Sequence, residues 1–190
     1  MSETDNNGQN QKPGGSHLTI VVLVFFAIGV YILAVILWPG IKREIHRSRS
    51  HQCGNNIFEL GNGLHAYAKD HDGRYPTENW CDLLLDGGYA AQKQFVCPGG
   101  GKGRCHYAMN RNVVSSRISD LPDDMVVLFE TKGGWNQVGE VDILTTKNHF
   151  REGCNILFND RHAQFWETAQ LGELKWKVEE SGSGREGLSK

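Results

Sequence analysis

The sequence predicts an α+β protein: a long N-terminal helix, half membrane span and half amphipathic, packed on a small antiparallel sheet. Three observations carry this. Leu18 to Trp38 is an apolar run without a charged residue, ended by Pro39-Gly40. Ile57, Leu60, Leu64, Tyr67 and Ala68 then recur at helical spacing. Short apolar runs follow, two of them flanking Asn159-Asp160-Arg161-His162 as the strands of a hairpin flank their turn.

The apolar run comes first. A helix needs roughly 20 apolar residues to cross a hydrocarbon core of about 30 Å, and Leu18 to Trp38 has that length. A secretory signal would have a shorter apolar centre and a small-residue cleavage site, which Trp38-Pro39-Gly40-Ile41 does not offer. A buried core helix would show a polar face, and here only Thr19 and Tyr31 interrupt the run. The reading is one membrane span over residues 18–38, with the lipid bilayer as its first partner.

Outside the span the composition is that of an ordinary water-soluble domain. The mean hydropathy of the chain is negative. A formal charge of −2 fits neither a nucleic-acid binder nor a protein built for strongly acidic partners. Residues 1–17 form a polar Ser/Asn/Gln/Gly tail without apolar residues enough for a core, and 181–190 reads as a second flexible tail. Residues 39–180 between them are the size of one domain.

Beyond a kink expected at Pro39 the helix continues, with Gly61 on its apolar stripe where a missing side chain permits close packing. It stops at Asp70-His71-Asp72-Gly73-Arg74-Tyr75-Pro76. From Leu18 to Asp70 such a helix would be roughly 80 Å long. Trp80 to Leu85 reads as a short helix closed by Gly87-Gly88, and Met125 to Phe129 as a buried strand. Cys154 to Phe158 and Ala163 to Trp166 form the hairpin, and Leu171 to Val178 is a last short helix or extended segment. The expectation is three or four antiparallel strands packed on the amphipathic half of the helix.

Orientation is contested by the residues themselves. Lys42, Arg43, Arg47 and Arg49 follow the span and only Lys12 closely precedes it, which by the positive-inside rule puts the domain in the cytoplasm. Cysteine usage points the other way. Cys97 and Cys105 enclose a short glycine-rich loop, a candidate disulfide hairpin for an oxidising compartment. The chain has five cysteines, so at least one is unpaired, and spacing does not assign Cys53, Cys81 or Cys154.

No catalytic, cofactor or metal site emerges. Cys97, Cys105, His106, His149 and His162 are zinc-ligand types, yet the Cys97–Cys105 spacing exceeds that of the usual zinc-binding Cys pair. Asp70-x-Asp72-Gly73 resembles part of a calcium loop but lacks the later bidentate Glu, so it reads as a helix-ending turn. His149 and Asp160 have no Ser or Cys in a nucleophile motif beside them. Gly99-Gly-Gly-Lys-Gly is not followed by the Ser or Thr of a phosphate loop. The expectation is a non-enzymatic protein without nucleic-acid partners.

The order of motifs carries a resemblance. A membrane helix ending in Pro and a basic stretch precede Cys53-Gly-Asn-Asn-Ile-Phe-Glu-Leu-Gly-Asn-Gly-Leu-His-Ala-Tyr67. Asp70-His-Asp-Gly-Arg-Tyr-Pro76, Phe95-Val-Cys97-Pro98, Tyr107-x-x-Asn110 and His149-x-x-x-Gly-Cys-Asn-Ile-Leu-Phe-Asn-Asp160-Arg-His162 follow. From Leu18 to Val178 this is similar to type IV pilin-like proteins, and more narrowly to type II secretion pseudopilin G-like proteins with a prepilin-type domain. The resemblance implies a pilin-like fold and a single-pass anchor in the bacterial inner membrane. It also implies a cytoplasmic N-terminus, an extracytoplasmic domain, and a structural or interaction role through contacts with other pilin-like subunits or secretion-system proteins.

The departures bear on processing. Pilin-like precursors are cut after a Gly and carry a Glu early in the span. Matching Pro39 to the family's proline makes Leu18 the first mature residue, so His17 replaces the Gly and Val22 the Glu. The expected consequence is an unprocessed N-terminus. That favours an alternative role, a stand-alone anchored binding domain that has lost filament assembly. Arg161 likewise stands where the family's hairpin has Gly.

Overall fold

The computed structural model describes residues 16–178; the expected tails lie outside them, apart from Ser16 and His17. Two compact units divide the chain, Met1–Glu44 and Ile45–Lys190.

The described part of the first unit is the opening of helix α1, Ser16–Asp70, which is 55 residues long. Every side chain from Leu18 to Trp38 is exposed, with Leu18, Phe25 and Phe26 each 70% accessible. This is one helix long and apolar enough to cross a membrane. Pro39 lies inside α1, and the helix continues through it. The unit boundary falls after Glu44 rather than at Pro39. Ile41, Lys42 and Glu44 are exposed, and among the described residues the first buried one in the helix is Cys53.

In the second unit α1 buries the expected stripe of Ile57, Leu60, Leu64, Tyr67 and Ala68, with Cys53 one turn before it. Gly61 is where close approach matters. A Cβ there would stand 2.7 Å from Leu157 Cδ1, so helix and sheet meet at a point with no room for a methyl. The helix ends where the sequence indicated. The amides of His71 and Gly73 both donate to the Ala68 carbonyl (3.0 and 2.8 Å). Helix α2, Trp80–Asp86, buries Trp80, Cys81 and Leu84 and is capped by the Gly87 amide donating to Leu83.

The sheet has five strands: β1 Cys105–Asn110, β2 Val126–Gly134, β3 Val138–Gly139, β4 Gly153–Phe158 and β5 Ala163–Glu167. Their order is β3-β1-β2-β4-β5. Antiparallel pairing holds for β1–β2, β2–β4 and β4–β5, whereas β3 pairs parallel with β1, so the sheet is mixed at one edge. Strand β1 escaped the sequence reading because His106 and Asn110 break its apolar pattern, although all six residues are buried. Asn110 is paired there, its Nδ2 donating to the Val126 and Trp176 carbonyls (both 2.8 Å).

Each face of the sheet has its own apolar cover. One packs Tyr107, Met109, Val127, Leu128 and Leu157 with α1, α2 and Phe95. The other gathers Ala108, Val126, Phe129, Ile156 and Phe158 with Leu174, Trp166 and Trp176. A register irregularity between Val126 and Leu128 shifts the alternation along β2. The segment expected as a last helix or extended stretch is a 3-10 helix, Thr168–Glu173, followed by a parallel bridge from Lys175 to Met125.

Candidate functional site

Glu130 is the least expected residue of the second unit: a carboxylate on the central strand β2 with no solvent exposure. A buried charge is tolerated only when paired and hydrogen-bonded. Its partners come from two flanking segments. Asn155 on β4 donates from Nδ2 to Oε1 (2.6 Å) and from its amide to the same oxygen (3.3 Å). Asn148, in the 3-10 turn Lys147–His149, donates from Nδ2 to Oε2 (3.2 Å) and also to the Thr131 carbonyl (3.3 Å). His149 Nε2 stands 2.9 Å from both carboxylate oxygens.

The disulfide lies against this cluster. Cys97 is bonded to Cys53, with Cα atoms 4.8 Å apart and a sequence separation of 44 residues. This corrects the expected Cys97–Cys105 pairing. Cys105 opens β1 and is a free, buried thiol, its Sγ donating to the Tyr107 carbonyl (3.2 Å). The link therefore ties α1 to the loop after Phe95 instead of closing the glycine-rich loop on itself. His149 Nε2 is 3.8 Å from Cys97 Sγ. Cys53, Cys97, Glu130 and His149 thus bring four metal-ligand atoms within 4.8 Å of one another, all buried.

The glycine-rich loop closes over the cluster. A Cβ at Gly99 would lie 2.3 Å from the Asn148 carbonyl and 3.3 Å from His149 Cε1, so this position requires glycine. The Cys97 amide donates to His106 Nδ1 (3.3 Å). Burial holds the His106 pKa below its ordinary value, against the opposing Gly101 carbonyl and Glu130 charge. Tyr107 donates its hydroxyl to the Cys53 carbonyl (3.1 Å), and burial pushes its phenol well up. Cys81 and Cys154 complete the free thiols; burial raises both, with a Cys105 hydrogen bond raising Cys81 further.

The other residues singled out in the sequence do not converge here. His17, Leu18 and Val22 are exposed in the first turns of α1. Asp160 and His162 pair with each other at the exposed hairpin tip, apart from His149's partner Glu130. In that turn Asn159 is buried, accepting from the Tyr75 hydroxyl (2.8 Å) and donating to the Ile118 and Leu121 carbonyls (3.2 and 3.0 Å). Arg161 adopts φ +74°, the conformation glycine would take without a side-chain penalty. Asp70 accepts from the Tyr89 hydroxyl (2.9 Å), and Asp72 takes φ +54° in the helix-ending turn.

Sequence reasoning weighed His149 and Cys97 as zinc-ligand types and set them aside, and it missed Cys53, Glu130 and Asn155 as their partners. The available signal was polar: Glu130 directly follows the Met125–Phe129 apolar run, and Asn155 interrupts Cys154-Ile156-Leu157. No family model, curated protein or solved structure matches this chain.

Proposed function

We propose that the chain is a single-pass membrane protein of pseudopilin-like type, with a structural or interaction role in a type II secretion or type IV pilus-like system. One observation carries this reading. Leu18 to Trp38 is apolar and exposed throughout, in a helix whose continuation from Cys53 to Ala68 packs on a sheet. Exposed apolar surface of that extent is stable only when something apolar covers it, and a bilayer or neighbouring helices in one does so. The ordered motifs from Cys53 to His162 supply the pseudopilin part. The Cys53–Cys97 disulfide supports an oxidising compartment, hence a cytoplasmic N-terminus and an extracytoplasmic domain.

A second reading has its own support: His17 and Val22 stand where processing and assembly would use Gly and Glu, which favours an anchored binding domain outside any filament. Two experiments test these readings, the first their shared orientation and the second their difference. Reporters fused after Lys190, active only in the cytoplasm or only outside it, give the orientation; an active cytoplasmic reporter contradicts the proposal. Sequencing the N-terminus of the mature protein then decides assembly. Retention of Met1 to Ser16 favours the anchored domain, whereas a start at Ser16 or Leu18 with an N-methyl group favours the filament subunit.

A further inference from the structure

We propose that Cys53, Cys97, Glu130 and His149 form a redox-gated metal site, which holds one zinc ion when the Cys53–Cys97 bond is reduced. Four donors from four separate segments converge: α1, the loop after Phe95, β2 and the turn before β4. Two sulfurs, one imidazole nitrogen and one carboxylate oxygen are a donor set suited to tetrahedral zinc. All four residues are at most 5% exposed.

Further features are those of a ligand site. Glu130 is expensive as a mere core residue, since an apolar side chain of its volume would fill the sheet without burying a charge. Its carboxylate is also oriented by groups that are not themselves donors to the metal, Asn155 and Asn148, as outer partners orient a ligand. His149 Nε2 points at both the carboxylate and Cys97 Sγ, so one atom faces two of the other three ligands. The covering loop, Pro98 to Arg104, is half to fully exposed, and four of its residues are glycine, so it gives a reductant and an ion a way in.

The chemistry balances as follows. A dithiol reductant supplies two electrons and two protons and becomes a disulfide itself, while the Sγ–Sγ bond breaks to two thiols. The entering zinc displaces both thiol protons, and two zinc–sulfur bonds form. His149 ligates through Nε2, so in the loaded site the proton of its neutral ring sits on Nδ1. A disulfide oxidant reverses the sequence: it takes two electrons from the paired thiolates and two protons from water to become a dithiol, the Sγ–Sγ bond re-forms, and the ion leaves. This inference stands apart from the membrane reading, because it uses only the second unit.

The test uses the full-length protein in detergent, with Co²⁺ as a spectroscopic probe and Zn²⁺ as competitor. One sample is air-oxidised; the other is reduced anaerobically with a phosphine, which is itself oxidised and does not chelate the metal. The oxidised protein should bind no metal. Reduced protein should take up one Co²⁺ per chain with tetrahedral d–d bands and thiolate charge transfer, and Zn²⁺ should bleach both. Glu130→Gln and His149→Gln should each abolish the tetrahedral spectrum. Asn155→Ala should weaken binding roughly 10–100-fold, and Cys154→Ala should leave the stoichiometry unchanged. If reduction unfolds the domain, added Zn²⁺ should restore its circular dichroism. Reduced wild-type protein that binds no metal overturns the proposal. So does a thiolate charge-transfer band that persists when Cys53 and Cys97 are both replaced by serine, since the metal would then sit on the other thiols. Failure of Zn²⁺ to refold a reduced, unfolded domain overturns it as well.

Discussion

The two units each place residues where water would not have them, in opposite ways. From Leu18 to Trp38 apolar side chains stand exposed, without cover from the described residues; at Glu130 a carboxylate lies fully buried. The first placement needs an apolar surrounding supplied from outside the chain. The second is resolved internally, by two asparagine amides, a backbone amide and a histidine. Burial alone therefore does not describe this molecule. What matters is which partner each exposed or buried group meets, and along α1 the described residues pass from exposed apolar side chains to a stripe buried on the sheet.

The largest expected effects lie in the buried cluster. His149→Ala leaves the buried Glu130 carboxylate without its histidine, and stripping a hydrogen-bond partner from a buried charged group costs about 3 kcal/mol or more. Replacing Glu130 and His149 together with leucine should cost clearly less than the sum of the two single changes. Urea unfolding of the full chain in detergent, followed by tryptophan fluorescence, measures this; additive costs would contradict the pairing.

The disulfide comes next. Its ends are 44 residues apart, and by chain entropy a loop of that size contributes about 4 kcal/mol. Cys53→Ser should lower stability by that order, and Cys105→Ser should not act through a crosslink. Non-reducing peptide mapping should find Cys53 joined to Cys97, with Cys81, Cys105 and Cys154 open to alkylation after unfolding. A Cys97–Cys105 peptide would restore the pairing expected from spacing.

Arginine substitutions sharpen the contrast within α1. Ile28 and Phe58 are both exposed on the same helix, at 48% and 42%. Ile28→Arg should cost about 2.5–3.5 kcal/mol of membrane insertion. Phe58→Arg should change stability by no more than about 0.5 kcal/mol, as surface changes usually do. Insertion assays and unfolding midpoints read the two; equal effects would mean that both positions face the same medium.

The smallest effects concern the hairpin and its pH response. Arg161→Gly removes the positive-φ penalty and should be neutral to stabilising, by about 1 kcal/mol at most. It also removes a cation that, after burial, helps hold His65 below its ordinary value. His65 and His106 both have lowered folded pKa values, so the unfolded chain binds more protons as the pH falls. Their contribution to stability is full above the ordinary histidine value of about 6.5 and is lost as pH falls from there through the folded values. Arg161→Gly should narrow that window. NMR titration of the His65 ring checks it, with an unchanged midpoint as the contrary result.

What was legible in the sequence was periodic. The exposed apolar opening of α1, the stripe from Ile57 to Ala68, the stop at Asp70 and the β4–β5 hairpin all follow from spacing and turn residues. Gly61 was readable as a close-packing point because a glycine on an apolar stripe has few other uses. The site was only partly legible, because its parts are far apart in sequence and meet through the tertiary fold. Cys97 is eight residues from Cys105 but is brought to Cys53 across 44, and local spacing carries no trace of that. Strand β1 was hidden for a related reason: its polar residues are paired inside the core, so the apolar alternation that marks a strand is missing.

The central claim, that the exposed apolar half of α1 lies in a bilayer, is tested most directly by extracting membranes from bacteria that express the full chain. Alkaline carbonate removes proteins held by charge or loose contact, and detergent releases those held by a span. The account predicts that the protein stays in the carbonate pellet and enters solution only with detergent, and that a chain lacking residues 18–38 is released without it. Recovery of the intact protein in the carbonate supernatant would contradict the account.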